Sequence, residues 1–296
     1  MKNLETVVED IYNLVSTKEV PDGVDKEAEI ERFGEAMKAL MRDQFDNRYR
    51  DRRVLRLSSI GSPLRQLWHR IRGTKQEKIT GPTYIKFLYG HIIEEMMVAL
   101  TRMAGHSVTD QQKECEVEGI KGHMDCRIDG VLIDVKSSSS NSFKKFKDGS
   151  LAFKDYFGYV DQIKAYAHSE GDTEYGWLAM NKENGELALL VYDETDDMAA
   201  VYDKINYDIA EKVRTVKKLV GQSEAPPQCH ATLPDGKSGN MRLASGCSYC
   251  PYKQECFPGL RAFGYSTGPK YLTEISRLPN VPEIPLEVLV DAEENN

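Results

Sequence analysis

The feature that most constrains this chain is the pair Asp129-Gly130, set between two stretches of alternating residues. An Asp-Gly pair so flanked is a strong signal for a two-residue hairpin turn. The turn fixes a register: 128 faces 131, 127 faces 132, 126 faces 133 and 125 faces 134. Asp125, closing Gly122-His123-Met124-Asp125, then lies directly across from Asp134, the first residue of Asp134-Val135-Lys136. Side chains on a strand alternate, so Lys136 shares their face. Like charges opposed in this way, with Cβ atoms roughly 5 Å apart, destabilise a sheet. Two carboxylates and a lysine in that arrangement point to a divalent cation held between them, and so to metal-assisted hydrolysis of a phosphodiester. Asp129 itself reads as a turn former, because aspartate in that position needs no further role.

Bulk properties permit one large or two small domains in 296 residues, with 40% hydrophobic and 29% charged residues. No stretch approaches the ~20 apolar residues that span a bilayer. Residues 1–15 lack the basic region and apolar run of a signal peptide. A cytoplasmic protein without membrane association is expected. The net charge of −8 is unevenly spread. From Arg48 to Lys78, ten Lys and Arg stand against Asp51 and Glu77, so that stretch carries +8 and the rest −16. Lys144, Lys145 and Lys147 form a second basic cluster just after the hairpin. A solvated helix face is the ordinary meaning of such runs, but two of them flanking a metal site favour a phosphate track.

Along the chain, residues 3–46 read as helical with a break at Pro21-Asp22-Gly23. A helix start at Leu57-Ser58-Ser59 precedes Leu64 to Ile71, and Thr80-Gly81-Pro82 interrupts the chain. A helix from Thr83 to Ala104 closes at Gly105 and is apolar nearly all round, which predicts burial. Strands are expected near 113–119, 123–129 and 131–137, followed by a polar loop at 137–141. A helix near 161–169, strands near 175–181 and 186–192, and a helix over 196–220 follow. Four segments result: a helical N-terminal region (1–56), a core (57–225), a cysteine-rich module (226–263) and a loosely ordered acidic, proline-containing tail (264–296).

The order Gly-x-x-Asp, Asp-x-Lys, then Gln162-x-x-x-Tyr166 on a helix, resembles the PD-(D/E)XK nuclease superfamily, and within it the RecB-type branch. Asp-x-Lys alone means little; its place on a hairpin with an opposed aspartate, between the helix bearing Gly90-His91-Ile92-Ile93-Glu94-Glu95 and the Gln/Tyr helix, is the specific part. The resemblance implies an α/β fold with a central mixed sheet flanked by helices, a restriction-endonuclease-like core. It implies Asp125, Asp134 and the Val135 carbonyl as ligands of Mg²⁺ or Mn²⁺, which suit an all-oxygen site. Lys136 would orient or deprotonate the attacking water and steady the phosphate. In relatives a His or Glu stands four residues after the glycine; here that position is Glu94, with His91 and Glu95 as alternatives. Gln162 and Tyr166, one helical turn apart, would contact the catalytic strand and substrate.

Cys247-x2-Cys250-x5-Cys256, with Cys229 upstream, supplies four thiolates in a short region. In a cytosolic chain this favours metal over disulfides, and zinc or [4Fe–4S] both accept four thiolates. The resemblance, to AddB-like and CRISPR-adaptation nucleases, favours [4Fe–4S], with structural Zn²⁺ as the alternative. Many such enzymes place their first cysteine in a segment like Leu57 to Trp68. This chain has Ser62 and Pro63 there, which leaves Cys229 as the substitute. Cys115 and Cys126 read as structural.

The activity implied is a Mg²⁺- or Mn²⁺-dependent deoxyribonuclease, an exonuclease acting in recombination, repair or replication on single-stranded DNA or duplex ends. Arg65, Trp68, Arg70, Lys144 and Lys145 would contact the DNA. The competing readings are a structure-specific endonuclease on the same scaffold and a non-catalytic iron–sulfur DNA-binding module. A homo-oligomer or a recombination or replication partner protein is compatible with either.

Overall fold

The computed structural model describes residues 2–46, 51, 53–195 and 204–291. Arg48, Arg50 and Arg52 of the basic stretch, the beginning of the helix expected from Asp196, and the acidic terminus at 292–296 lie outside the described residues. In chain order the helices are α1 (Val7–Thr17), α2 (Lys26–Gln44), α3 (Leu64–Ile71), α4 (Gly81–Met103), α5 (Ser140–Lys147), α6 (Tyr159–Glu170), α7 (Ile209–Lys218), α8 (Ser245–Ser248) and α9 (Lys253–Cys256). The strands are β1 (Gln76–Glu77), β2 (Val108–Thr109), β3 (Glu114–Val117), β4 (Ile120–His123), β5 (Cys126–Ile128), β6 (Val131–Ser138), β7 (Glu174–Asn181), β8 (Leu187–Asp193), β9 (Leu233–Pro234), β10 (Met241–Arg242), β11 (Arg261–Tyr265), β12 (Gly268–Glu274), β13 (Glu283–Ile284) and β14 (Leu289–Val290).

The chain divides into two compact units. The first comprises Met1–Arg48, Arg56–Gly61 and Gly81–Val213. Its sheet runs β2-β5-β6-β7-β8, with β6 and β7 parallel and the other pairs antiparallel. This is a mixed sheet flanked by helices. Asp129 and Gly130 adopt φ of 49° and 96°, the double positive that a mirror-image turn requires, and Ile128 pairs with Val131, Arg127 with Leu132 and Cys126 with Ile133. Cys126, Ile128, Ile133 and Val135 bury their side chains with Val7 and Ile11 of α1 and with Ile93 and Met97 of α4. Cys126 is thus a core residue, as is the buried Cys115. The α2 helix starts at Asp25, whose carboxylate accepts from the Ala28 amide, an ordinary N-cap.

Three local expectations change. The strand expected over 123–129 shortens to β5: His123 ends β4, which pairs with β3, and the β5–β6 ladder stops at Cys126 opposite Ile133. Asp125 therefore lies in the link before β5 and is not the cross-strand partner of Asp134; its carboxylate accepts the Val135 amide instead. The polar loop at 137–141 gives way at Ser140 to α5, whose Phe143 and Phe146 are buried. The α4 helix is buried only in its C-terminal half; Ile85, Phe87 and Tyr89 are 65%, 53% and 43% exposed, so its all-round apolarity does not bury its first turns.

The second unit comprises Tyr49–Leu55, Ser62–Thr80 and Arg214–Asn296. The expected tail is structured rather than loose: β12 and β13 flank β11 in the sheet β13-β11-β12-β10-β9, and β14 pairs with β1. Residues 62–80, expected within the core at 57–225, belong to this unit, and the division of the chain falls within α7. One buried cluster in it gathers Leu243, Cys247 and Leu260, and Leu67, Phe263, Leu272 and Val290 are also buried. Among the described residues no helix is long and apolar enough to cross a membrane.

Candidate active site

The hairpin of the first unit brings the predicted carboxylates together. Asp134 is 1% exposed, and its Oδ2 stands 2.6 Å from Lys136 Nζ. Gln162 Nε2 donates to Asp134 Oδ1 at 3.3 Å and lies 3.4 Å from the Tyr166 hydroxyl. Asp125 Oδ2 accepts the Val135 amide at 2.8 Å. Burial and the neighbouring Asp134 charge together hold the Asp125 carboxyl well above the usual carboxylate range. Burial likewise raises Asp134, against the pull of Lys136. For Lys136, burial disfavours the ammonium, but the charges of Asp134 and Asp125 outweigh it and keep the lysine firmly protonated.

Glu94 adds its negative charge to this environment, acting on both Asp125 and Asp134. Its Oε1 accepts from Gln112 Nε2 at 2.9 Å, and His91 Nδ1 stands 3.8 Å from Oε2. Glu95 instead accepts from Gln111 at 3.1 Å, with its pKa raised by burial. Of the three candidates on α4, Glu94 is the one whose charge reaches both aspartates.

Two residues that the sequence reading left out stand beside these. The ammonium of Lys136 lies over the Tyr159 ring, 5.3 Å from its centroid, and the Asp155 charge reaches Asp134. Asp155 also accepts the Phe157, Gly158 and Val160 amides, and so shapes the start of α6. An aspartate shortly before Gly158 is the only sequence signal for that role.

Gly122 has a steric reason. A Cβ there would stand 2.8 Å from Leu57 Cβ and 2.9 Å from Tyr166 Cε1, closer than real Cβ contacts allow. Gly122→Ala is therefore expected to lose about 1–3 kcal/mol of stability by overpacking. A urea titration would show this as a lower midpoint at an unchanged slope.

The second unit holds the cysteines. Cys229, Cys247, Cys250 and Cys256 line one small cavity, together with Pro63, Gln66 and His230. All four are free thiols. Burial, followed by the charge of neighbouring thiols, pushes Cys247 up to about 11. Burial also drives Cys250 up to about 12, with the other three cysteines adding to it. Backbone amides point at the sulfurs: those of Arg65 and Gln66 at Cys229, of His230 at Cys247 and of Tyr252 at Cys250. His69 Nε2 lies 3.5 Å from Cys256 Sγ.

Of the residues expected to meet DNA, Arg65 donates to the Pro226 carbonyl at 2.7 Å. Trp68 donates to the Gln222 carbonyl at 3.0 Å, beneath the Arg72 guanidinium. Arg70 is half-buried, Lys144 is exposed, and Lys145 bonds the Lys154 carbonyl.

Among the described residues, no three His, Cys, Asp or Glu side chains are arranged to hold a metal ion. In the first unit, the Val135 amide and Lys136 take up the oxygens that would turn inward. The donor chemistry alone, oxygens in the first unit and thiols in the second, is of the kind that a divalent ion and a thiolate-bound metal take. Asp134 Oδ2 is buried with an ion pair but no directed hydrogen bond, and the four thiols converge on one cavity.

No family model and no curated protein matches the chain. Among solved structures, SSO0001 is similar over 75% of this chain and 94% of its own, at 12% identity and a TM-score of 0.40. An alkaline exonuclease from Laribacter hongkongensis is similar over 57% and 92%, at 14% identity and 0.36. A phage related exonuclease from Haemophilus somnus 129PT is similar over 58% and 96%, at 14% identity and 0.38. Likeness at this level carries no argument about activity, and the functional reading stands on the side chains themselves.

Proposed function

We propose that this chain is a metal-dependent DNA nuclease that hydrolyses phosphodiester bonds from DNA ends, serving recombination, repair or replication. The observation that carries the reading is the cluster of the buried Asp134 with the half-buried Lys136 on β6 and Asp125 just before β5, within reach of the Glu94 charge. Three carboxylates against one ammonium leave an excess of negative charge in a site of low polarity, which a divalent cation neutralises. Asp125, Asp134, Glu94 and the Val135 carbonyl would hold Mg²⁺ or Mn²⁺. The ion would supply Lewis-acid activation of water and of the scissile phosphate.

The remaining roles belong to the chain's own groups. Lys136, held protonated by Asp134, carries a fixed positive charge toward the phosphate and orients the attacking water. Gln162, bonded to Asp134, fixes which carboxylate oxygen turns inward, and the buried Tyr166 backs Gln162. Lys144 and Lys145 contact the DNA backbone from α5. Arg65, Trp68 and Arg70 serve the second unit's own packing first, given the engagements of Arg65 and Trp68.

The cysteine cavity holds a [4Fe–4S] cluster in this reading, bound by Cys229, Cys247, Cys250 and Cys256. Free thiols with amides aimed at three of them support thiolate ligation. Cys229 takes the role of the cysteine missing at Ser62-Pro63, since it sits against the amides of Arg65 and Gln66 at the start of α3.

The test is digestion of end-labelled linear DNA and of covalently closed circular DNA with Mg²⁺ or Mn²⁺. Linear DNA should be degraded and circular DNA spared, and Asp134→Ala should abolish the reaction. Equal digestion by Asp134→Ala would overturn the catalytic assignment. Cutting of circles would establish an endonuclease.

A further inference from the structure

We infer that the segment between α5 and α6 is a base-stacking ledge, so that the site takes unpaired nucleotides, as single-stranded DNA or frayed ends. The inference rests on the nuclease reading and adds its substrate class. Phe153, Tyr156 and Phe157 are 50%, 55% and 49% exposed. Single exposed apolar residues are ordinary, but three large rings within five residues are not what a solvated connection uses.

The rings sit on a pinned backbone. Asp155 accepts the amides of Phe157, Gly158 and Val160 at 3.1, 2.9 and 2.8 Å. Lys145 Nζ donates to the Lys154 carbonyl at 2.8 Å. Gly158, at φ 77°, lies so close to Gly61 that a Cβ on either would come within 2.4 Å of the other's backbone. Rings held in this way lose little freedom when a base settles on them.

The ledge also starts next to the chemistry. Phe157 stacks on Tyr159 with centroids 5.7 Å apart and planes at 28°, and Tyr159 carries the Lys136 ammonium on its ring. Cations are interleaved with the rings: Lys145 lies 4.6 Å from the Tyr156 centroid, and Lys144 and Lys154 are exposed. Aromatic faces alternating with lysines match a strand whose bases are free to stack and whose phosphates run alongside. A duplex keeps its base faces covered, so it offers this ledge nothing but phosphate.

The test is the double variant Phe153→Ala/Tyr156→Ala, assayed on a short oligothymidylate and on a duplex with locked blunt ends. KM on the oligothymidylate should rise about tenfold or more with kcat nearly unchanged, since each stacked base contributes severalfold in affinity. The duplex should respond little, and Phe153→Trp/Tyr156→Trp should behave as wild type. An unchanged KM on the oligothymidylate, or an equal rise on both substrates, overturns the ledge. If the wild type cleaves no DNA, the nuclease reading fails, and fluorescence anisotropy of a labelled oligothymidylate still decides the ledge. Binding about tenfold weaker in the variant upholds it; equal binding overturns it. An abasic oligonucleotide gives a check without any substitution: wild type should bind it about tenfold more weakly than oligothymidylate. Equal affinity for both overturns the ledge.

Discussion

Asp125→Asn should leave the protein without nuclease activity and yet raise its melting temperature in the absence of divalent metal. Asparagine keeps the acceptor that Asp125 offers to the Val135 amide. What it removes is a charge that burial and Asp134 already disfavour. The direct partner of Lys136 is Asp134, which the substitution leaves in place. Relief of one opposed pair is worth on the order of 1 kcal/mol, or about 2–4 °C in a chain of this size class. Activity should fall more than about a hundredfold, beyond the effect of groups that merely support a ligand. The pH dependence has a defined sign. The folded-state pKa of Asp125 lies above its unfolded value, so acidification from neutral protonates the native state first. Metal-free wild type should therefore gain stability as the pH falls through the folded pKa toward the usual carboxylate range. The variant lacks that contribution. Saturating Mg²⁺ or Mn²⁺ should stabilise wild type by about 2.7 kcal/mol at a hundredfold excess over Kd, and the variant far less. Calorimetry with and without metal measures all of this. A variant that melts lower than wild type without metal, and gains as much from Mg²⁺, would show that no cation is held between the carboxylates.

How much of this was legible follows from the range of each interaction. The Asp129-Gly130 turn is a local preference of two residues, so it set the hairpin register from 128/131 to 126/133. The expected pairing of 125 with 134 does not extend the ladder, and Asp125 comes near Asp134 through its bond to the Val135 amide. The choice among His91, Glu94 and Glu95 depends on how α4 is rotated on its sheet, which periodicity alone does not determine when a helix is apolar on most sides. Its exposed first turns were hidden by the same ambiguity. Tyr159 was silent because its role is a contact with Lys136 across the fold. The order of the tail is hidden in the sequence for a related reason. Strands as short as β13 and β14 carry no periodic signal, and β1, the partner of β14, lies far away in sequence. The cysteines were legible by spacing, whereas the meeting of Cys229 with the start of α3 was not.

Cys250→Ser should remove the metal from the second unit and much of its stability with it. The thiols sit where the unit is least regular: Cys247 packs with Leu243 and Leu260, Leu67, Phe263, Leu272 and Val290 are buried in the same unit, and several of its strands are two residues long. Structural thiolate sites contribute folding free energy on the scale of about 10 kcal/mol, comparable to the whole stability of an ordinary domain. Wild type purified without oxygen should be brown, absorbing near roughly 400 nm as thiolate-bound clusters do. Cys250→Ser should be colourless and lose hydrogen-exchange protection across β10, β11 and β12. Asp134→Ala should keep its colour, which separates the cluster from the catalytic hairpin. The thiols also dictate a pH response. With Cys247 raised to about 11 and Cys250 to about 12, both are protonated in the metal-free protein at neutral pH. Metal uptake must therefore release protons, and affinity should fall as the pH falls, about tenfold per unit for each proton released. Proton release on reconstitution of the apoprotein measures the number directly. A colourless wild type containing zinc would replace iron while keeping the thiolate site. A wild type that carries neither metal, with Cys250→Ser melting where it does, would remove the site altogether.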